Sequence, residues 1–460
     1  MIELQEISPE KIGNKLPNIA REHKWLQTVW GITRPLDYLE KMQERYGDIF
    51  IADFASSPPQ VIISNPKAIQ ELFTADYKLF QSSPGNQIIE PLVGPNSLLL
   101  KDGEPHLQQR KLLMPPFHGE RMQAYGQLMR DITQQVMSKL TVGSSFVARP
   151  IMQEISLTVI LRAVFGLKEG ERYQRIRQLL TAMLDSFQSP LSVVFLFFKS
   201  LQRDLGPLSP WGNFLRQRGR LDQLLYQEIQ ERRTQEQFSG DDILTLLLSA
   251  RDEQGQPMTD VELRDELMTL LFAGHETTAT ALAWALYWIH SLSDVREKLL
   301  QELHSIDIAN AQLTEIARLP YLNAVCCETL RIYPVAFFTF ARTLKTPMQL
   351  MGYELPEGLR LSPCIYLTHH RPDIYPEPKQ FKPERFLERQ FSPYEYLPFG
   401  GGNRRCIGMA FAMFEMKLVL ATILSHYSLA LAETRPLQPV RRGVTFAPAG
   451  GVRLVVKERH

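Results

Sequence analysis

From about residue 105 to 340, apolar residues recur every three to four positions, a spacing that predicts helices. Turn residues break the pattern at Thr141–Gly143, Ser189–Pro210 and Gly255–Pro257. Near both ends the period shortens. Residues 47–64, GDIFIADFASSPPQVIIS, hold two β-rich runs on either side of Pro58-Pro59 and predict a hairpin. Short strands and loops follow Pro334, then a glycine-rich loop and a last apolar helix from Ile407 to about Ser425. Val440 to Val456 predicts a closing hairpin, and Gln81 to Gly103, rich in Pro, Gly, Asn and Ser, a long loop. Together these elements predict a mainly α fold with a small β-lobe (α+β) in one domain over residues 1–460. The β-rich lobe is drawn from about 45–65, 335–395 and 440–456, and the helical lobe from about 66–334 and 396–430.

The longest helical run is MTDVELRDELMTLLFAGHETTATALAWALYWIHS. Thr259 with Glu262 forms a capping box at its start. Continued to Ser291 it spans on the order of 50 Å, enough to cross the molecule. Its centre is locally weak: Gly274 costs about 1 kcal/mol against alanine, and two threonines adjoin. The Thr277 hydroxyl can turn back to the Ala273 carbonyl and bend the helix. Glu276 puts a carboxylate beside it. A tolerated glycine and a surface glutamate are the plain alternative.

Composition narrows the class. The 460 residues are 44% hydrophobic and 22% charged, those of a folded globular chain. A formal charge of +1 gives no reason to expect nucleic acid as a partner. The four cysteines, Cys326, Cys327, Cys364 and Cys406, form no disulfide framework and no zinc spacing, which suits a reducing cytosol. The charged N-terminus, MIELQEISPEKIGNKLP, is not a signal peptide or membrane anchor. The apolar run Pro190 to Phe198, PLSVVFLFF, is too short to span a bilayer.

Two further stretches carry candidate chemistry. In LPYLNAVCCETLRIYP, Glu328 and Arg331 share one face of a helix stopped by Pro334. Their apolar neighbours suggest a buried pair, which needs further partners for five guanidinium donors. In PFGGGNRRCIG, Gly400–Gly402 and two arginines precede Cys406. A helix N-terminus and nearby cations favour a thiolate, so a depressed pKa is expected there. A nucleophile, a redox thiol and a metal ligand are all open. A nucleophile calls for a base such as His369 or His370, which nothing in the spacing ties to Cys406, and a redox thiol for a second cysteine nearby, which is not there. A haem-thiolate ligand fits better: glycines admit a flat macrocycle and aim N–H groups at the sulfur, arginines meet propionates, and Phe399 shields the sulfur.

With these residues in place the chain resembles the cytochrome P450 monooxygenases along nearly its whole length. Phe399, Gly402, Cys406 and Gly408 match the family's haem loop, Ala273 to Thr278 its acid–alcohol segment, and Glu328, Arg331 and Arg385 its Glu-x-x-Arg network. The resemblance implies the P450 fold, with the long helix crossing over the haem, and haem b with Cys406 as axial iron ligand. It implies that Thr277 and Glu276 hold dioxygen and help deliver protons, and that Arg404, Arg342, Arg110 and His106 meet the propionates, His106 standing where many members have tryptophan. Gly402 and Gly408 would make room for the macrocycle. Val335, Ala336, Phe337, Phe338 and Phe446 would line a pocket for a hydrophobic substrate, with Pro84–Ser97 over the haem and PLSVVFLFF as a lid.

The activity implied is insertion of one oxygen atom of O2 into a long-chain fatty acid or similar lipid or terpenoid. A peroxygenase or isomerase, or a non-catalytic haem sensor, is the alternative. The sequence runs to His460 with no fused flavin domain in sight, so a ferredoxin or flavodoxin-type donor with its reductase is expected, docking where Arg405 and Lys417 form a basic patch. A cytoplasmic, soluble monomer is expected, with no transmembrane anchor and peripheral membrane contact through the apolar lid.

Overall fold

The structure, a computed structural model, describes residues 16–55, 57–119, 121–166, 170–185, 202–206, 209–234, 242–308, 310–442 and 445–460. The lid stretch 190–198 therefore lies outside the described residues.

The helices that position the site are α1 (Lys24–Thr33), α2 (Pro35–Tyr46), α3 (Gly103–Leu113), α4 (Arg121–Met137), α5 (Ala148–Phe165), α6 (Asp260–Ser291), α7 (Pro320–Ile332) and α8 (Met409–His426). The long helix α6 is the axle. The Thr259 hydroxyl accepts from the Glu262 N–H while the Glu262 carboxylate accepts from the Thr259 N–H, so the capping box forms in full. Beyond its first turn α6 is buried along most of its length, as a helix apolar on nearly every side must be. Helix α5 lies along it, and Gly274 allows the contact: a Cβ there would meet Ile160 Cδ1 at 3.1 Å. The glycine that weakens the helix locally is repaid by close packing. Helix α8 is long and apolar enough to cross a membrane, yet most of it is buried in the protein, where it packs on α4 and α6.

Strands gather mainly beside the N-terminal helices. A six-stranded sheet runs β1 (Asn18–Ile19), β2 (Ile49–Ala52), β3 (Gln60–Ile63), β9 (Arg360–Pro363), β6 (Arg342–Leu344) and β4 (Phe80–Gln81). The predicted hairpin is β2–β3, in the register Ile49↔Ile63 to Ala52↔Gln60. Strands β7 (Met348–Leu350) and β8 (Tyr353–Leu355) make a small ribbon.

The structure corrects three expectations. The closing hairpin ends at Pro448: β11 (Pro439–Arg442) pairs with β12 (Thr445–Pro448), and the chain then leaves for another sheet. There β13 (Arg453–Arg459) lies between β10 (Tyr427–Leu431) and β5 (Ser145–Val147), so strands occur inside the region assigned to helices. The β13–β5 pairing sets Arg453 beside Val147 and Val455 beside Ser145, from distant parts of the chain, which local period does not reveal. The loop at 81–103 also contains short helical turns at Ser83–Asn86 and Glu90–Val93.

Candidate functional site

The segment before α8 places Cys406. Gly400 and Gly402 adopt φ of +67° and +62°, the left-handed region where a side chain is strained. Gly401 does not, and its role is space: a Cβ there would stand 2.2 Å from Phe73 Cε2. Gly402 is approached by protein on one side, where a Cβ would stand 2.7 Å from an Arg342 terminal nitrogen. At Gly408 a Cβ would meet no protein atom within 4 Å, as room for a flat ligand requires. Gly401→Ala should destabilise the fold by about 1–3 kcal/mol through overpacking, and Phe73→Leu in the same chain should restore part of the loss in urea unfolding.

The Cys406 N–H donates to the Phe399 carbonyl at 3.0 Å, and half-buried Phe399 packs against the main core. The thiol is pushed up, not down: burial outweighs the Gly408 N–H on the sulfur and the charges of Arg110 and Arg405. Spacing identified the stabilising groups but not the desolvation they work against. Cys406 nonetheless presents surface to open space.

Basic residues converge on this loop. Arg342 is buried on β6, donating to the Leu72 carbonyl at 2.8 Å and the Gly401 carbonyl at 3.2 Å, with its guanidinium 4.7 Å from the Phe73 ring centre. Burial, with Arg404 nearby, lowers its pKa to about 10. Arg110 on α3 is lowered by burial and feels Cys406 and Arg405. Arg404, expected to meet a propionate, is partly spent: it bonds Asp102 Oδ1 at 2.6 Å and the Lys101 carbonyl. Asp102 also accepts from the Ser82 and Ser83 N–H groups, so Arg404 ties two loops together. His106, buried on α3, is lowered to about 3 by burial and by Arg404 and Arg110, and stays neutral. Among the described residues, Asp102 is the one carboxylate paired with Arg110, Arg342 or Arg404. Two positive charges are left over, which the two carboxylate arms of a haem b would match, and the residues present fit that group.

On α6 the Thr277 hydroxyl donates to the Ala273 carbonyl at 2.7 Å, as the sequence predicts. Ala273 and Thr277, one turn apart, leave part of their surface open, while His275 and Thr278 are packed away. Glu276 is not free beside that hydroxyl. Its carboxylate turns to α5, pairs with Arg149 and accepts from Gln153 Nε2 at 2.7 Å. Sequence reasoning missed both partners, more than a hundred residues upstream. It also missed the clamp on the 94–98 segment: Asp265 accepts from Asn96 N–H at 2.8 Å, Glu266 from Leu98 N–H at 2.6 Å, and Thr269 donates to Ser97 Oγ at 2.7 Å. Glu266, fully buried, is raised to about 8.

The Glu328 network is complete. Arg331 spends all five donors, on both Glu328 oxygens at 2.6 and 2.7 Å and on the carbonyls of His369, Pro378 and Gln380. Arg385 Nε reaches Glu328 at 3.2 Å, and the Lys382 N–H adds a bond at 2.8 Å.

The pocket assignment needs correction. Phe337 and Phe446 stack on each other, centroids 3.5 Å apart, and are buried in the β-lobe core with Tyr366 against Phe337, because β12 packs there. They do not line open space. Val335, Ala336 and Phe338 are half-buried and keep surface to offer. His369 is no catalytic base: Nε2 accepts from Leu397 N–H at 3.0 Å, and Nδ1 lies 3.2 Å from the Arg331 carbonyl.

Residues 21–452 match the family model described as "Cytochrome P450". The chain is 35% identical over 443 residues to "Putative cytochrome P450 135B1" of Mycobacterium tuberculosis (strain ATCC 25618 / H37Rv), covering 96% of this chain and 91% of the relative. It is 31% identical over 460 residues to "Putative cytochrome P450 138" of Mycobacterium bovis (strain ATCC BAA-935 / AF2122/97), covering all of both. Among solved structures it is similar to "Retinoic acid bound cyanobacterial CYP120A1", with TM-score 0.83 and 29% identity over 97% of this chain and 100% of that one. The likeness to the "cytochrome P450DA heme domain", TM-score 0.82 at 23% identity over 96% and 98%, is one of fold.

Proposed function

Because this chain belongs to the cytochrome P450 family, whose members are haem-thiolate monooxygenases, we propose that it hydroxylates a long-chain fatty acid or a similar lipid or terpenoid, with electrons from a separate donor. The observation that carries the reading is the Cys406 loop, where a Gly408 N–H meets the sulfur amid arginines short of counter-charge. When bound, haem b supplies the redox chemistry that places one oxygen atom of O2 in the substrate and reduces the other to water. Cys406 would hold its iron, and Arg110 and Arg342 its carboxylate arms. An apolar substrate is supported by the segment Val335–Phe338 and by the cyanobacterial relative, which is described as binding retinoic acid. A screen for substrate-induced haem spectral shifts across fatty acids, retinoids, other terpenoids and steroids tests it. Shifts confined to polar or steroidal compounds would remove the lipid assignment.

Retention of the acid–alcohol pair favours a monooxygenase over a peroxygenase, an isomerase or a sensor. Thr277 offers a hydroxyl whose own proton is directed at Ala273, leaving its oxygen free to accept. Glu276 serves that face only after its carboxylate leaves Arg149. Thr277→Ala should keep the haem and fold but lower product formation by on the order of 10²-fold, with reductant consumed to hydrogen peroxide instead. Equal product per electron in variant and wild type would discard the role.

A ferredoxin or flavodoxin-type donor is proposed to dock on the face nearest Cys406. Arg405 is exposed there, while Lys417 is half-buried and gives its ammonium to the Ala317 carbonyl at 2.9 Å, so the basic patch is smaller than expected. Arg405→Glu should weaken donor affinity.

A further inference from the structure

Helices α6 and α3 meet through two planar polar groups whose hydrogen bonds do not balance. Glu266 is fully buried on α6, and Gln109 is buried against it on α3. Gln109 Nε2 donates to Glu266 Oε1 and to the Asn96 carbonyl at 3.1 Å. Glu266 Oε1 also accepts from the Leu98 N–H at 2.6 Å. One oxygen of each group is left over. Glu266 Oε2 and Gln109 Oε1 are both buried, and no donor among the described residues reaches either. A carboxylate beside a carboxamide therefore leaves two acceptors without a donor, a costly arrangement in a dry setting. One proton removes both faults. On Oε2 it turns an acceptor into a donor, and a carboxyl and carboxamide already joined by N–H to O then close a ring by O–H to O.

We propose that Glu266 is a neutral carboxylic acid in a reciprocal pair with Gln109, and that this pair is a positioning element holding α3 and the 94–98 segment to α6. The charged groups that face Glu266 are Lys101, which favours its ionised form, and Asp265, which opposes it. Neither supplies a counter-ion. Lys101 gives its ammonium to Glu262 at 3.3 Å, and Asp265 is itself an anion, held by Arg264 and Asn96. Burial raises the Glu266 carboxyl to about 8, the same direction that the count of hydrogen bonds requires. The pair acts on the arginines around Cys406 without touching haem. Leu98, whose N–H Glu266 holds, offers its carbonyl to Arg404 at 3.5 Å, and Arg110 directly follows Gln109 on α3. The service to those arginines rests on the haem reading above, whereas the protonation of Glu266 does not.

Infrared spectroscopy of the purified haem-loaded chain, wild type minus Glu266→Gln, tests the proton directly. At neutral pH the difference should contain the C=O band of a protonated carboxyl. Glu415, also buried and raised to about 8, is present in both chains and cancels. Glutamine puts an amide N–H where the acid has its O–H, so Glu266→Gln keeps both halves of the pair. Its haem content and melting temperature at neutral pH should therefore match or exceed wild type. Gln109→Leu removes the acceptor and should shift the band. A pH profile supplies a readout that a plain packing contact would not move. The carboxyl rises from its ordinary 4.5 to about 8 on folding, so the unfolded chain loses the proton first. Stability tied to Glu266 is full below 4.5 and is lost as pH rises to about 8, by up to about tenfold per pH unit in the folding equilibrium. Glu266→Gln should gain on wild type across that window. The proposal is overturned if the difference shows a carboxylate band in place of the acid band. It is overturned if Glu266→Gln melts well below wild type at neutral pH, which would assign the grip to a charged carboxylate facing Lys101. The same pH dependence in both chains, or an acid band that Gln109→Leu leaves unmoved, would also overturn it. The band is read whether or not haem is bound, so failure of the haem reading would leave this test intact.

Discussion

Replacing Cys406 by histidine is expected to abolish the thiolate-type spectrum of the reduced carbon monoxide adduct and, with it, substrate hydroxylation. The expectation rests on how the thiol is held. Burial alone drives it toward the neutral form, and the Gly408 N–H, Arg110 and Arg405 are the groups that oppose this. They favour charge on the sulfur without removing it from its dry setting, the combination needed in a ligand that donates electron density. Histidine at this position would lose that charge and leave Arg110 with less to face. Haem can still be retained, since Arg342 and Arg110 do not depend on the sulfur. The variant should therefore separate binding from ligation: haem stoichiometry near wild type, spectrum of the imidazole-ligated kind. Persistence of the thiolate band would show that another residue ligates the iron. Among the described residues Cys326 and Cys364 are poor substitutes, because both are fully buried and pushed up to about 12.

What the sequence made legible was local. The capping box, the Thr277 back-bond, the Glu328–Arg331 pair and the β2–β3 hairpin involve residues no more than about fifteen positions apart, where period, propensity and turn chemistry act directly. What stayed hidden joins distant segments. Arg149 on Glu276, Asp102 on Arg404 and Phe73 against Gly401 are set by how helices and loops pack, and an isolated arginine or phenylalanine carries no mark of its partner. The direction of the Cys406 shift belongs with these: the cations were visible in the chain, but the burial that outweighs them was not. Phe337 and Phe446 failed as pocket residues for a related reason. An aromatic run fits a substrate wall and a core equally well, and only the β12 pairing decides between them.

Arg331→Ala is expected to be the most damaging change for stability, at about 3–5 kcal/mol, because it strands a fully buried Glu328. Arg385 and the Lys382 N–H would remain on that carboxylate, which keeps the loss from being larger. The carbonyls of His369, Pro378 and Gln380 would each lose a donor. Arg331→Lys should be nearly as harmful: an ammonium keeps the charge, but it cannot span both carboxylate oxygens and three carbonyls from one plane. The damage should reach the Cys406 loop along a definite path. The Arg331 carbonyl meets His369 Nδ1, and His369 Nε2 receives the Leu397 N–H immediately before Pro398 and the glycine loop. Loosening α7 therefore loosens the strand of chain that delivers Cys406. Urea unfolding and haem per chain measure the two effects separately. Lower stability with full haem would confine the network to the core; loss of both would place it in the support of the site. A midpoint within error of wild type for Arg331→Lys would contradict the requirement for a planar, five-donor group.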